Sequence, residues 1–241
     1  MYLSDAVDGY LLFKSTRAAP TTIKTDRVSL SQLLDWLGDP IDVTDLTPDH
    51  VRRYLSYHRD RGLSPHTVKR HYAVVSALYT WLCSDDVALA ETDPTDAVDP
   101  PRLPQTRPKA LTQETIKSLL DATDRMTLRR RMRAIVLFLL DTGARASELC
   151  GVTMDATDLK TGRVLVTGKG SRQRHVFLGR RARSAVWLYV SDERPEPAQI
   201  DHDNLFLTID GYPLDRYSLR HAITRLADAA GVNATPHPFR H

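Results

Sequence analysis

Along the first hundred residues the apolar positions recur at helical spacing. Val28, Leu30, Leu33, Leu34 and Leu37 fall three and four apart around Trp36, and Gly38-Asp39-Pro40 stops the run. Thr47-Pro48-Asp49 has the makings of a helix start: a hydroxyl cap, proline where no N–H is needed, then an acid at the positive end of the dipole. Ser64-Pro65 repeats the device ahead of a long apolar face, Val68, Tyr72, Val75, Leu78, Tyr79 and Leu82. Roughly four or five helices in this length predict a small bundle.

The stretch from Asp93 to Thr112 carries five prolines and no hydrophobic period, so it reads as a stiff, extended connection. The expected division is a helical domain over 1–100, a linker over 101–111 and a second domain over 112–241. In that second part Thr112 caps a helix bearing Ile116, Leu119 and Leu120, and Arg129 to Asp141 is apolar enough to be central. The period then changes. Residues 163–178, RVLVTGKGSRQRHVFL, alternate on both sides of Gly168-Lys169-Gly170 and predict a β-hairpin. Helices are predicted over 181–191 and 214–230, the second ended by Gly231, with an extended segment at Leu205–Leu207 between them. The fold class is mainly α with a small β component.

Composition alters this picture little. At 41% hydrophobic and 26% charged, the chain of 241 residues is ordinary for a globular protein. Its longest apolar run, Ala134 to Leu140, is far too short to span a membrane. The N-terminus lacks the basic region and cleavage site of a signal peptide, so a cytoplasmic place, with Cys83 and Cys150 as buried thiols, is expected. Charge is more telling. Residues 1–100 hold 10 Lys and Arg against 15 Asp and Glu, whereas residues 101–241 hold 23 against 15. The second half is the better candidate for a polyanionic partner.

Three basic clusters fall in that half. In LLDTGARASEL, residues 139–149, one helix ends at Thr142-Gly143 and another begins at once with Arg145 in its first turn. A helix start favours an anion, an arginine fork holds two phosphate oxygens, and Glu148 three residues on can orient it. In VTGKGSRQRH, residues 166–175, Lys169 lies at the hairpin tip between glycines, with Arg172, Arg174 and His175 on the return strand. The last cluster is the terminal HPFRH, where His237 and Arg240 share a helical face. His237 and His241 have the i,i+4 spacing of a zinc pair, but no Glu lies between them and no Cys is near, so no metal is expected. Each cluster alone also fits an ordinary solvated surface.

Their order and spacing carry more. TGARASEL, VTGKGSRQRHVFL, DGYPLDRYSLRHAITRLADAAGV and TPHPFRH, together with GLSPHTVKRHYAVVSALYTWL and DPTDAVDPP upstream, resemble the tyrosine recombinase, or phage integrase, family over essentially the whole chain. The resemblance implies an N-terminal helical core-binding (SAM-like) bundle and a C-terminal mixed α/β catalytic domain of the DNA breaking-rejoining type. It also implies the chemistry: a tyrosine hydroxyl attacks a DNA phosphodiester, a 3′-phosphotyrosyl ester forms and a 5′-hydroxyl leaves. The ester keeps the bond energy, so no cofactor, ATP or metal is called for. By the same resemblance Arg145 and Arg240 match the two phosphate-clamping arginines, and Lys169 the lysine that protonates the leaving oxygen. His237 matches a proton shuttle and phosphate ligand, Glu148 the acid supporting the first arginine, and His241 a packing or supporting residue.

The nine tyrosines, at positions 2, 10, 54, 57, 72, 79, 189, 212 and 217, all precede Arg240. The family's nucleophile follows it. The sequence therefore reads as a recombinase cut before its nucleophile: a deliberately shortened protein, an interrupted gene, or a short form that binds DNA without cleaving it. The expected function is site-specific recombination of double-stranded DNA at specific sites, with this chain binding rather than cleaving. A full-length form would act as a tetramer on DNA and this chain would be mainly monomeric, cytoplasmic and nucleoid-associated, with no membrane contact. Ser64, Thr67, Lys69, Arg70 and His71 at the start of one helix, and Arg172, Arg174, Arg216, Arg220 and Arg225 in the second half, are the candidate DNA contacts, mostly to phosphate. The competing reading is a non-catalytic protein that occupies recombination sites. A type IB topoisomerase-like enzyme fits the N-terminal half less well, and a helix-turn-helix regulator leaves Lys169 on its hairpin unexplained.

Overall fold

Three of the four helices in residues 1–104 begin on proline: α2 (Pro20–Leu37), α3 (Pro48–Asp60) and α4 (Pro65–Leu82), after α1 (Leu3–Ser15). The Thr47 hydroxyl accepts from the His50 amide at 3.3 Å and the Ser64 hydroxyl from the Thr67 amide at 3.3 Å, so both predicted caps close their helices. α2 starts well ahead of the expected apolar run, and its buried face turns accordingly. Asp26, Ser29, Leu30 and Leu33 point inward while Val28 is exposed. The buried Asp26 carboxylate is met by the Lys14 ammonium at 2.6 Å. Leu30, Leu33, Leu55, Leu78 and Leu82 fill the centre of the bundle, and the Tyr79 hydroxyl donates to the Val43 carbonyl at 2.8 Å. The computed structural model describes residues 1–104, 110–197, 203–236 and 238–240, without the side chains of Lys169 and Arg240. It forms two compact units, Met1–Thr106 and Arg107–His241.

Two histidines lie in the core of the first unit. His58 is fully buried, and among the described residues neither of its ring nitrogens has a partner. Its ring stacks on His71 at 4.0 Å, and His71 Nδ1 shares a hydrogen bond with the Tyr54 hydroxyl at 2.9 Å. Burial, reinforced by the neighbouring ring and Arg70, pushes His71 down to about 4, and burial with Arg61 lowers His58 too. Both rings therefore fold neutral, whereas the unfolded chain protonates them below 6.5, the ordinary histidine value. Their contribution is intact above that pH and is expected to be lost as pH falls towards 4, on the order of 3 kcal/mol for His71. Urea unfolding followed by fluorescence of Trp36, which packs on Tyr54 at 5.5 Å, measures it. Equal stability at either end of that range would mean that the rings are hydrated in the fold.

In the second unit α5 (Gln113–Ala122) is capped by Thr112 as its sequence predicts. α6 (Arg129–Thr142) is the central helix, with Met132, Ala134, Ile135, Val136, Phe138 and Leu139 buried. α7 (Ala146–Cys150) follows after a break, and a three-stranded antiparallel sheet is laid down in the order β1 (Thr157–Asp158), β2 (Arg163–Thr167) and β3 (Gln173–Phe177). β2 and β3 are the predicted hairpin, with Val164 opposite Val176 and Val166 opposite Arg174. β1, two residues long, is too short for an alternating pattern to reveal. α8 (Arg180–Asp192) and α9 (Arg216–Ala230) complete the unit, and Gly231, at φ 66°, ends α9 in the left-handed turn that glycine favours.

α6 and α8 run antiparallel and are clasped at both ends. Leu128 offers α6 no side-chain cap; the Glu193 carboxylate, just past α8, accepts from the Arg130 and Arg131 amides at 3.1 and 2.6 Å instead. At the other end the Asp141 carboxylate accepts from the Gly179 amide, ahead of α8, at 2.7 Å. Phe206 sits in this core, edge-on to Phe138 at 5.9 Å and stacked on Tyr189 at 5.6 Å. Both cysteines are free thiols; burial pushes Cys150 up to about 12 and raises Cys83.

Candidate DNA-phosphate site

Gly143 ends α6 in the left-handed conformation at φ 56°, and the chain turns back on itself to start α7. Arg145 is extended, at φ −70° and ψ 153°, and caps α7 rather than lying in its first turn. α7 has only five residues, so it contributes little dipole, and the positive charge here is that of the guanidiniums.

Glu148 organises them. It sits in the first turn of α7, is 1% exposed, and has both carboxylate oxygens taken. Oε2 accepts from the Arg145 amide at 2.7 Å and from Arg174 Nη2 at 2.8 Å. Oε1 accepts from Arg145 Nη1 at 2.7 Å and from Arg174 Nη1 at 2.6 Å. The paired bonds from Arg174 hold the carboxyl down at about 2 against the opposing effect of burial, with the Arg145 bonds adding to them. The Glu148 carboxylate in turn raises Arg174. Glu148 and Arg174 are therefore both ionised at any pH near neutrality.

The hairpin closes over this group. The Gly168 amide donates to the Arg172 carbonyl at 2.7 Å, which brings the first glycine of the turn against the carboxylate. A Cβ on Gly168 would lie 3.0 Å from Glu148 Oε1 and 3.7 Å from Arg145 Nη1, closer to the carboxylate than a side chain comfortably sits. Gly170, at φ 72°, takes the left-handed position in the same turn. Arg145, Gly168, Gly170, Arg172, Gln173 and Arg174 line an open hollow of about 540 Å³. Arg145 and Arg174 keep 48% and 40% of their side chains exposed there, so each guanidinium is both anchored and accessible.

The remaining expected residues divide by location. Pro238–Arg240 forms a short 3-10 turn against α6, anchored by the buried Phe239. His237, His241 and the side chains of Lys169 and Arg240 lie outside the described residues. Arg216 and Arg220 are exposed on α9. Among the expected contacts of the first unit, Lys69 is exposed, Arg70 lies 3.9 Å from the Asp26 carboxylate, and the Ser64 and Thr67 hydroxyls bond each other at 2.9 Å. His71, next in sequence, points inward to Tyr54 and is not offered to solvent.

A helical bundle joined to a mixed α/β unit, with arginines gathered by a buried carboxylate under a glycine-flanked hairpin, defines a class of DNA breaking-rejoining proteins. The phage integrase family model matches residues 109–241, and that for the phage integrase N-terminal SAM-like domain matches residues 5–89. The tyrosine recombinase XerD of Chlorobaculum tepidum is 30% identical over 220 residues, covering 88% of this chain and 72% of XerD. The chain belongs to the phage integrase family of tyrosine recombinases, which are site-specific recombinases. Two solved structures share its fold over 100% of its length at 16% identity and TM-score 0.82: a lambda integrase dimer bound to a COC′ core site, 68% of which is covered, and a lambda integrase tetramer bound to a Holliday junction, 71% covered. Among the described residues no helix is long and apolar enough to cross a membrane.

Proposed function

We propose that this chain binds duplex DNA at specific recombination sites and that Arg145 grips the backbone phosphate at which the strand is exchanged. The observation that carries the reading is the accessible Arg145 fork, anchored through Nη1 and its own amide to a buried carboxylate. Among the described residues its Nε and Nη2 have no hydrogen-bond partner, which leaves them for phosphate oxygens. Arg240 and His237 would complete the grip, His241 would support it, and Lys169 would deliver a proton to the departing 5′-oxygen. Guanidiniums fixed in advance stabilise the extra charge of a pentavalent phosphorus without reorganising. The attacking hydroxyl is assigned to none of the nine tyrosines.

Arg172, Arg216 and Arg220 in the second unit, and Lys69 with Arg70 in the first, would hold phosphates on either side. Assembly of several copies on DNA, as in the lambda integrase tetramer, and a place on the chromosome in the cytoplasm follow from such a partner.

Anisotropy titrations of a labelled mixed-sequence duplex against salt test the binding. The logarithm of the affinity is expected to fall steeply and linearly with the logarithm of salt. Salt-independent binding, or none, would overturn the reading. Incubation with a nicked suicide substrate tests the chemistry: a covalent adduct mapped to a tyrosine would assign the attacking group within this chain.

A further inference from the structure

Arg174 stands where a hydrophobic side chain belongs. It lies directly opposite Val166 on the hairpin, and residues directly opposite in an antiparallel pair share a face. Val166 is 1% exposed, as is its face-mate Val164 at 0%, and Val176, two residues beyond Arg174, is also buried. Arg174 therefore points into the core side of the sheet, towards α7, and not outward with Gln173 and His175. His175, on the outer face, meets Arg163 Nε at 3.1 Å.

What Arg174 meets on the inner face is the Glu148 carboxylate, fork to fork, at 2.6 and 2.8 Å. A carboxylate offers about four acceptor directions, and here all four are filled, two by Arg174 and two by Arg145. A bidentate pair fixes the plane of both partners. With that plane fixed, Oε1 presents its remaining lone pair to Arg145 Nη1 in a single direction. Gly168 packs beside the same contact, since its missing Cβ leaves just enough room for Oε1 next to Arg145 Nη1. Arg145 Nη1 is thereby tied at one point to a carboxylate that cannot rotate.

We propose that Arg174 is a positioning residue: through the plane of the Glu148 carboxylate it sets the orientation in which the Arg145 guanidinium meets a DNA phosphate. The proposal rests on the reading of Arg145 as a phosphate-gripping group. It differs from a direct phosphate contact by Arg174, in that the effect on DNA runs through Arg145, while Nη1 and Nη2 of Arg174 each give one hydrogen to Glu148.

The test compares duplex affinity and the 15N guanidinium resonances of Arg145 in the wild type, R174A, R174K, R145A and the R145A/R174A double variant. R174K is decisive, since lysine can still neutralise a phosphate but cannot form the fork. R174A and R174K are both expected to lose roughly tenfold in affinity, and the double variant to bind no more weakly than R145A alone. In R174K the Arg145 Nη resonances are expected to collapse towards the freely rotating average, a change that a merely structural role would not produce in a folded protein. E148Q, which keeps the shape but cannot accept at both ends, is expected to reproduce the R174K result and serves if the Arg174 variants fold poorly. Wild-type affinity in R174K, or additive losses in the double variant, would overturn the positioning role and make Arg174 either dispensable or a DNA contact in its own right. An unchanged affinity in R145A would instead overturn the phosphate-gripping reading beneath it.

Discussion

Arg145→Ala is expected to weaken duplex-DNA binding roughly ten- to hundredfold at moderate salt and to lower the salt slope by about one. The magnitude is that of hydrogen bonds to a charged partner, about 1.5–3 kcal/mol, and the slope change is that of one phosphate no longer neutralised. Removing Arg145 also removes one of the two guanidiniums on Glu148, but the fork from Arg174 keeps that carboxylate paired. The variant is therefore expected to stay folded, and its thermal unfolding should confirm this before any affinity is compared. Arg145→Lys separates charge from shape: it retains the phosphate attraction, and with it the salt slope, but loses the planar fork. Binding by Arg145→Ala equal to wild type across the salt series would show that another cation dominates the site.

Phe206→Ala is expected to destabilise the second unit by about 3–5 kcal/mol. The ring is fully buried, lies edge-on to Phe138 of α6 and stacks on Tyr189 of α8, so its loss opens a void between the two central helices. Part of the cost is apolar area, and the ring–ring contacts add about 0.5–1.5 kcal/mol each beyond it. The surroundings have little freedom to collapse, because hydrogen bonds from the Leu205 amide to the Val152 carbonyl and from the Leu214 amide to the Phe206 carbonyl hold the segment on both sides. Urea unfolding should show a lower midpoint with an unchanged slope. Ile209→Ala, three residues away on a side chain that is 60% exposed, is the control and should stay within about 0.5 kcal/mol of wild type. A comparably small effect at Phe206 would mean that the two helices do not depend on it for their spacing.

Much of this architecture was legible in the sequence because local signals and tertiary demand agree. Thr47, Ser64 and Thr112 read as caps and are caps. The alternation over 163–178 read as a hairpin and pairs in that register. The failures are places where the decisive partner is distant. Val28 looked inward by spacing alone, but α2 begins at Pro20 and its buried face is set partly by the ion pair of Asp26 with Lys14 on α1. Arg145 was expected one position further into α7, a shift within the usual uncertainty of a helix end. Its link to Glu148 was readable from i,i+3 spacing. The hold of Arg174 on the same carboxylate, 26 residues on, was not. One signal was present: Arg174 occupies an inward position of an alternating strand, and an inward arginine implies a buried acid to meet it.

The clasp between α6 and α8 makes length, more than composition, the quantity that α6 must keep. Glu193 fixes its first turn and Asp141 ties its last to the entry of α8, and Gly143 then turns the chain into Arg145. An inserted or deleted residue between those anchors would turn everything beyond it by about 100° and move it by about 1.5 Å. Substitutions of similar volume along the fourteen residues of α6 can be absorbed by repacking, whereas a single codon gained or lost there would aim the guanidinium away from its hollow while leaving every side chain of the site intact.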